Sequence, residues 1–199
     1  MTDLSTLSRR DFIAVSAAAS GGLAIGFHLP GRAEAQAIKG AELNAWVTIG
    51  SDDTVTIRVH RSEMGQGSST AIPQLVAEEL ECDWSKVRME FASVMRHIRE
   101  NKVYVSFATG GSRAIRDSHT YLRKAGATGR EMLKAAAAQS WGVPVGELKT
   151  EKGFVVHAAS NRRASYGSLA EDAAKMTPPA EVKFKPDAEG SIAGKAPPR

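Results

Sequence analysis

One cysteine, Cys82, stands among 199 residues. The chain therefore cannot close an intramolecular disulfide, and it cannot hold an iron–sulfur cluster by itself. Cys82 reads as a small, half-buried residue following a helix, and any redox centre must be held without thiols or on another chain. Lysine and arginine never gather into a dense block, so the net charge of +4 leaves no nucleic-acid footprint. A full bilayer span is missing too. Residues 13–29 are weakly apolar but carry Ser16, Ser20, Gly21, Gly22 and Gly26, which makes a poor membrane helix. No repeat is visible, and no serine or cysteine stands with a base as a nucleophile requires. His60 and His97 are not spaced as ligands of one metal, and each reads as a surface or capped histidine. The sequence assigns neither catalytic nor metal-ligating residues.

The N-terminus is more positive evidence. Arg9-Arg10-Asp11-Phe12-Ile13 opens the weakly apolar stretch, and Ala33-Glu34-Ala35 offers a small-x-small cleavage site. This pattern resembles the twin-arginine export signal, so residues 1–35 are expected to be a signal peptide and the mature chain periplasmic. That route carries proteins already folded, which suits a chain that takes up a cofactor before export.

The mature chain reads as one α+β domain over residues 36–179, antiparallel strands with packed helices. A linker covers residues 36–42, and another from Ala180 to Arg199 leads toward further domains. Residues 45–49 and 54–59 alternate like strands joined by Gly50-Ser51-Asp52-Asp53. A helix begins near Thr70 with Ile72, Leu75, Val76 and Leu80 on one face and Pro73 in its first turn. A strand follows at residues 87–91, then an irregular stretch over 92–114. A long helix runs from about Ala114 to Trp141 and stops at Gly142, its inner stripe Ile115, Leu122, Ala125, Gly129, Met132 and Ala136. Gly126 and Gly129 each cost that helix roughly 1 kcal/mol relative to Ala, which implies close packing of a backbone or a ligand. A hairpin spans residues 148–157 and a short helix residues 166–176. Glu78, Glu79 and Glu81 oppose the dipole of their helix end and read as a solvated face. So do Arg113, Arg116, Arg123, Lys124 and Arg130. Trp46, Trp84 and Trp141 read as core or rim anchors.

Between the second strand and the first helix lies Glu63-Met64-Gly65-Gln66-Gly67-Ser68-Ser69-Thr70. Gly65 and Gly67 permit positive φ and close approach, and the helix beyond them offers free N–H groups. Ser68, Ser69 and Thr70 can cap the helix or bind phosphate, while Gln66 brings both a donor and an acceptor. On residue chemistry alone this is either an anion site or a tight turn.

EMGQGSSTAIPQLVAEEL, residues 63–80, resembles the cofactor-binding motif of the molybdenum hydroxylases, the xanthine dehydrogenase and aldehyde oxidase superfamily. The likeness continues through LNAWVTIGSDDTVTI, LRKAGATGREMLKAAAAQSWGVP, ASYGSLAEDAA and GKAPPR, covering most of residues 43–199. It lies nearest to exported large subunits of the isoquinoline 1-oxidoreductase and bacterial aldehyde dehydrogenase kind. The resemblance implies part of a molybdopterin-binding domain, incomplete relative to the family, whose members are several-fold longer. The implied cofactor is molybdopterin cytosine dinucleotide carrying molybdenum, with no protein ligand to the metal. Gly65, Gln66 and Gly67 would lie beside the pterin and the metal, and Thr70 on the pyrophosphate side. Gly110, Gly111 and Ser112 would form a second phosphate-contacting segment. Arg113 stands where a small hydroxyl residue is expected and is itself a candidate phosphate partner. The implied reaction is oxidation of an aldehyde or an N-heterocycle with oxygen from water. The family's glutamate base belongs to a far C-terminal segment, and Glu63 does not match it. Electrons would leave through a separate iron–sulfur subunit to an acceptor such as a cytochrome, and a further chain could carry the remaining domains. The rival reading is a non-catalytic exported binding module or the relic of a truncated gene. A partial domain should also expose an apolar surface, with the stripe Ala125, Gly126 and Gly129 included. If the leader reading holds, Arg9→Lys with Arg10→Lys leaves the precursor in the cytoplasm; periplasmic accumulation of that double variant, measured by fractionation, refutes the twin-arginine route.

Overall fold

The side chain of Asn44 makes the first turn. Its Oδ1 accepts hydrogen bonds from Trp46 N at 3.0 Å and Val47 N at 3.2 Å. That reverses the chain between strands β1 (Ala41–Asn44) and β2 (Val47–Ile49), which pair antiparallel with Ala41 opposite Ile49. The computed structural model describes residues 40–192 and Lys195, all within the unit Ile38–Arg199. The expected leader over residues 1–35 and the linker residues 36–39 lie outside the described residues, as do the last four positions of GKAPPR. The expected linker instead enters a strand at Ala41, because Asn44 satisfies the turn that follows.

Strand β3 (Val55–Val59) pairs antiparallel with β2, Val47 opposite Ile57. Helix α1 (Ser68–Leu80) then carries the chain across, and β4 (Val87–Phe91) pairs parallel with β3, Val55 opposite Val87. The fold is α+β, but this sheet, ordered β1-β2-β3-β4, is mixed rather than wholly antiparallel. The reason is length: parallel strands need a crossover of a dozen or more residues, and the 13-residue α1 supplies it. Pro73 falls in the second turn of α1, not the first, and removes the N–H that the Ser69 carbonyl would otherwise receive.

The stretch from residue 92 is less irregular than expected. Ser93 Oγ accepts from Arg96 N at 3.2 Å and starts α2 (Val94–Arg99). The long helix is broken at Asp117-Ser118 into α3 (Arg113–Arg116) and α4 (His119–Trp141), and Gly142 closes it at φ 67°. A second sheet, β5 (Lys149–Glu151), β6 (Phe154–His157) and β7 (Arg162–Ser165), is antiparallel throughout and feeds α5 (Tyr166–Ala173).

The core lies where α1 and α4 pack together over the first sheet. Ile72, Val76 and Leu80 meet Leu122, Met132 and Leu133, with Val47, Ile49 and Ile57 beneath. A Cβ on Gly126 would lie 2.3 Å from the Val76 carbonyl oxygen, whereas one on Gly129 would meet the Leu80 Cδ1 tip at 3.2 Å. The small-residue stripe is thus the seat of α1 and not an open surface. Exposed large apolar side chains gather instead at Met89, Phe91, Val94, Met95, Ile98 and Val105, along β4, α2 and the loop beyond, with Met64, Val145 and Phe184 exposed elsewhere. Trp46 is in the core, and Trp84 and Trp141 pack half-buried against it. Cys82 is buried outright, and burial pushes its thiol up to about 12.

The glutamates are not a solvated face. Glu79, 0% exposed, accepts from Arg123 Nε at 2.6 Å, Arg130 Nη1 at 3.4 Å and Lys185 N at 3.0 Å. Glu78 accepts from Lys185 Nζ at 2.9 Å and Ile192 N at 2.6 Å. Arg123 Nη2 and Arg130 Nη2 donate to the Lys185 and Lys183 carbonyls, each at 2.7 Å. The segment beyond Ala180 has little regular structure, yet its backbone is strapped across the end of α1. Gly126→Ala should lower stability by about 1–3 kcal/mol despite alanine's better helix propensity, and Gly129→Ala should cost less, because the Leu80 tip can move. Urea denaturation of both variants decides this; equal stability of the two would contradict the close backbone contact.

Candidate functional site

After Val59 the chain runs through His60, Arg61 and Ser62 into the glycine loop. Gly65 lies at φ 93° and Gly67 at φ 82°, which L side chains resist, and nothing lies within 4 Å of a Cβ built on either. These glycines serve the backbone conformation and leave open space above it. The loop's donors already hold an anion, the carboxylate of Glu63. Its Oε1 accepts from Gly65 N at 2.8 Å and Gly67 N at 3.0 Å. Its Oε2 accepts from Ser69 N and Ser69 Oγ, both at 2.8 Å. The carboxylate lies at the positive end of α1, a place that favours negative charge. Hydrogen bonds from the Ser69 and Gly67 backbone hold Glu63 down at about 2, against a usual 4.5.

Gln66 hydrogen-bonds within its own loop. Its Nε2 donates to the Ser62 carbonyl at 2.7 Å and to Ser68 Oγ at 2.9 Å, and its Oε1 accepts from Met64 N at 2.6 Å. The amide braces the loop from within. Thr70 sits half-buried in the first turn of α1, its N–H on the Gly67 carbonyl at 3.1 Å.

The second expected segment lies beside the first. Ser62 N donates to Thr109 Oγ1 at 3.0 Å, joining the two loops across 47 positions of sequence. Gly110, Gly111 and Ser112 are exposed, and Ser112 enters α3 at φ 56° without a side-chain cap. Arg113 is exposed and turns Nε onto the Gly110 carbonyl at 3.3 Å. Six of the seven expected site residues therefore fall in two abutting loops ahead of α1 and α3, and Thr70 lies in the first turn of α1.

Sequence reasoning passed over three residues at this junction. Glu63 was set aside as a base, although an acid just ahead of a helix start signals an N-terminal cap. Arg61, 3% exposed, donates to the Ala108 carbonyl and, through Nη1 at 3.4 Å, to Ser106 Oγ. His60 is no surface residue. It is 1% exposed, edge-on to Trp46 with ring centroids 4.9 Å apart. Its Nε2 meets Tyr121 OH at 2.8 Å and Ser118 Oγ at 3.2 Å. Burial first, then the charges of Arg61 and His97, push its pKa down to about 3, so the ring is neutral. His97 Nδ1 accepts from Tyr104 N at 3.2 Å, a capping role. Among the described residues no three or more His, Cys, Asp or Glu side chains gather as a metal site, and no helix is long and apolar enough to cross a membrane. A concavity of about 400 Å³ beside α4, lined by Glu131, Met132, Lys134, Val145 and Pro179, shares none of the loop donors.

The family of molybdopterin cofactor-binding domains matches residues 12–196. Isoquinoline 1-oxidoreductase subunit beta of Brevundimonas diminuta is 36% identical over 169 residues, 82% of this chain and 22% of that protein. The membrane-bound aldehyde dehydrogenase [pyrroloquinoline-quinone] of Gluconacetobacter polyoxogenes is 28% identical over 204 residues, 96% of this chain and 25% of that protein. The chain thus spans about a quarter of the length of these relatives. Among solved structures, the Cu,Mo-CO dehydrogenase in its carbon monoxide reduced state and the reconstituted CO dehydrogenase from Oligotropha carboxidovorans share the fold. Each matches with TM-score 0.50 and 19% identity over 63% of this chain and 15% of the other.

Glu63 makes the loop sensitive to acid. Its folded pKa is depressed, so its contribution is full above the usual 4.5 and is lost as pH falls toward 2. Denaturation midpoints of wild type and Glu63→Gln should differ at about pH 6 and converge near about pH 2; a difference independent of pH would show that the carboxylate is not what the loop holds.

Proposed function

The chain belongs to the molybdopterin-binding domains of the xanthine dehydrogenase family, and on that premise we propose that its two joined loops form one wall of the cofactor site. The observation that carries the reading is the convergence of Gly65, Gly67 and Ser69 donors on one carboxylate, beside the Gly110–Ser112 turn. The five donors that hold Glu63 are a donor set suited to phosphate oxygens, and the open space over both glycines leaves room for a planar ligand edge. Gly65, Gln66 and Gly67 flank the pterin and metal. Thr70, Gly110, Gly111 and Ser112 take the pyrophosphate of the cytosine dinucleotide form. Gln66 acts through the loop, because its internal hydrogen bonds keep the backbone donors aimed.

When bound, the cofactor supplies a molybdenum centre that accepts two electrons from the substrate carbon. The chain's own residues bind and orient; none is assigned as acid or base. The substrate class is an aldehyde or an N-heterocycle, the activities named for the two relatives. The working enzyme is periplasmic after twin-arginine export. Remaining large-subunit regions complete the site, and a separate iron–sulfur subunit passes electrons to an acceptor such as a cytochrome.

Two measurements test this. The polypeptide of residues 1–199, made in a host that supplies the cofactor, should carry little molybdenum or pterin and show no aldehyde-dependent dye reduction. Stoichiometric molybdenum with turnover by this chain alone would overturn the one-wall reading. In the assembled enzyme, Gln66→Ala should lower retained cofactor roughly tenfold, since loop bonds are worth about 1 kcal/mol each. Unchanged retention would return the loop to the status of a tight turn.

A further inference from the structure

Three arginines are buried among the described residues. Arg58 faces Glu42 at 3.2 Å and Glu90 at 3.5 Å, and Arg130 faces Glu79 at 3.4 Å and Glu131 at 3.3 Å. Arg61 is the most enclosed of them, and no carboxylate among the described residues lies within ion-pair distance of it. Its hydrogen bonds go only to neutral oxygens: the Ala108 carbonyl, Ser106 Oγ at 3.4 Å and Ser118 Oγ at 3.3 Å. Its Nε has no partner at all. A buried charge without a counter-ion is costly, and a neutral side chain of similar length would avoid the cost.

The position of that charge explains why it is kept. Arg61 directly precedes Ser62, whose N–H bonds Thr109, and its own donors grip the chain at 106 and 108, just ahead of the Gly110–Ser112 turn. It lies at the seam of both loops. The adjacent His60 is neutral, so it neither offsets nor competes with the guanidinium. Low-dielectric surroundings let a fixed charge act over a longer reach than an exposed one.

We infer that Arg61 is the built-in counter-charge for a diphosphate held between the two loops, an assignment that rests on the cofactor-site reading above. The guanidinium does not fork onto phosphate as an exposed arginine does; it sets a positive potential at the seam in advance. The exposed cation at the same place, Arg113, is the alternative source of charge.

The full chain, prepared from a host that makes no molybdopterin, is titrated with inorganic pyrophosphate at constant ionic strength while thermal unfolding is followed. Wild type should be stabilised as pyrophosphate rises. Arg61→Gln should need about tenfold more pyrophosphate, or beyond, for the same shift, whereas Arg61→Lys and Arg113→Gln should keep the wild-type response. An Arg61→Gln response equal to wild type overturns the role of Arg61 while leaving the loops an anion site. No response in wild type removes the loop reading and this assignment with it. Should Arg61→Gln fail to fold, Arg113→Gln decides: loss of the response there gives the charge to Arg113 and overturns the proposal, and its retention supports Arg61.

Discussion

Everything at the site depends on how closely α1 and α4 pass each other. Val76 lies against Gly126 and Leu80 against Gly129, so the helix backbones approach where no Cβ intervenes. That contact seats α1, whose N-terminal end presents unsatisfied N–H groups. The glycine loops are the segments that enter α1 and α3, and they meet through Ser62 and Thr109.

The opposite end carries the compensating charge. Glu78 and Glu79 stand at the negative end of α1, where acids are least welcome, and Arg123, Arg130 and Lys185 neutralise them. Buried charge is therefore distributed unevenly. At the C-terminal end of α1 each buried ion has an opposite partner, while at the N-terminal end Arg61 has none among the described residues. The scaffold is electrostatically closed at the C-terminal end of α1 and open beside the two glycine loops.

Much of this was legible in the sequence. The β2–β3 hairpin, α1, the helix stop at Gly142 and the hairpin over residues 148–157 follow from alternation, helical spacing and glycine placement, all of which are local. The misreadings share one cause, partners that lie far away in sequence. Glu79 looks solvated until Lys185, 106 positions later, donates to it. The stripe Ala125, Gly126 and Gly129 looks like part of an exposed apolar surface until α1 packs on it, which is the close backbone packing that the two glycines imply. The parallel pairing of β4 depends on the long crossover that α1 makes from β3, which no pattern within β4 reveals. At the site, motif likeness indicated the two glycine loops. The Glu63 carboxylate in the donor nest and the lone Arg61 charge needed coordinates, because sequence spacing does not say which acceptors a side chain reaches.

The strap over α1 has a consequence for the order of assembly. The hydrogen bonds that Lys185, Ser191 and Ile192 give to Glu78 span 107, 113 and 114 positions. A ribosome releases α1 and α4 well before that stretch, so the helix pair first meets with those bonds unmade. Closing contacts of such long range come late, since chain entropy delays them. Desolvation of the acidic helix end thus waits for residue 192 to emerge. Until then the acidic end of α1 stays hydrated, and the helix pair gains these long-range contacts only with residues 183–192.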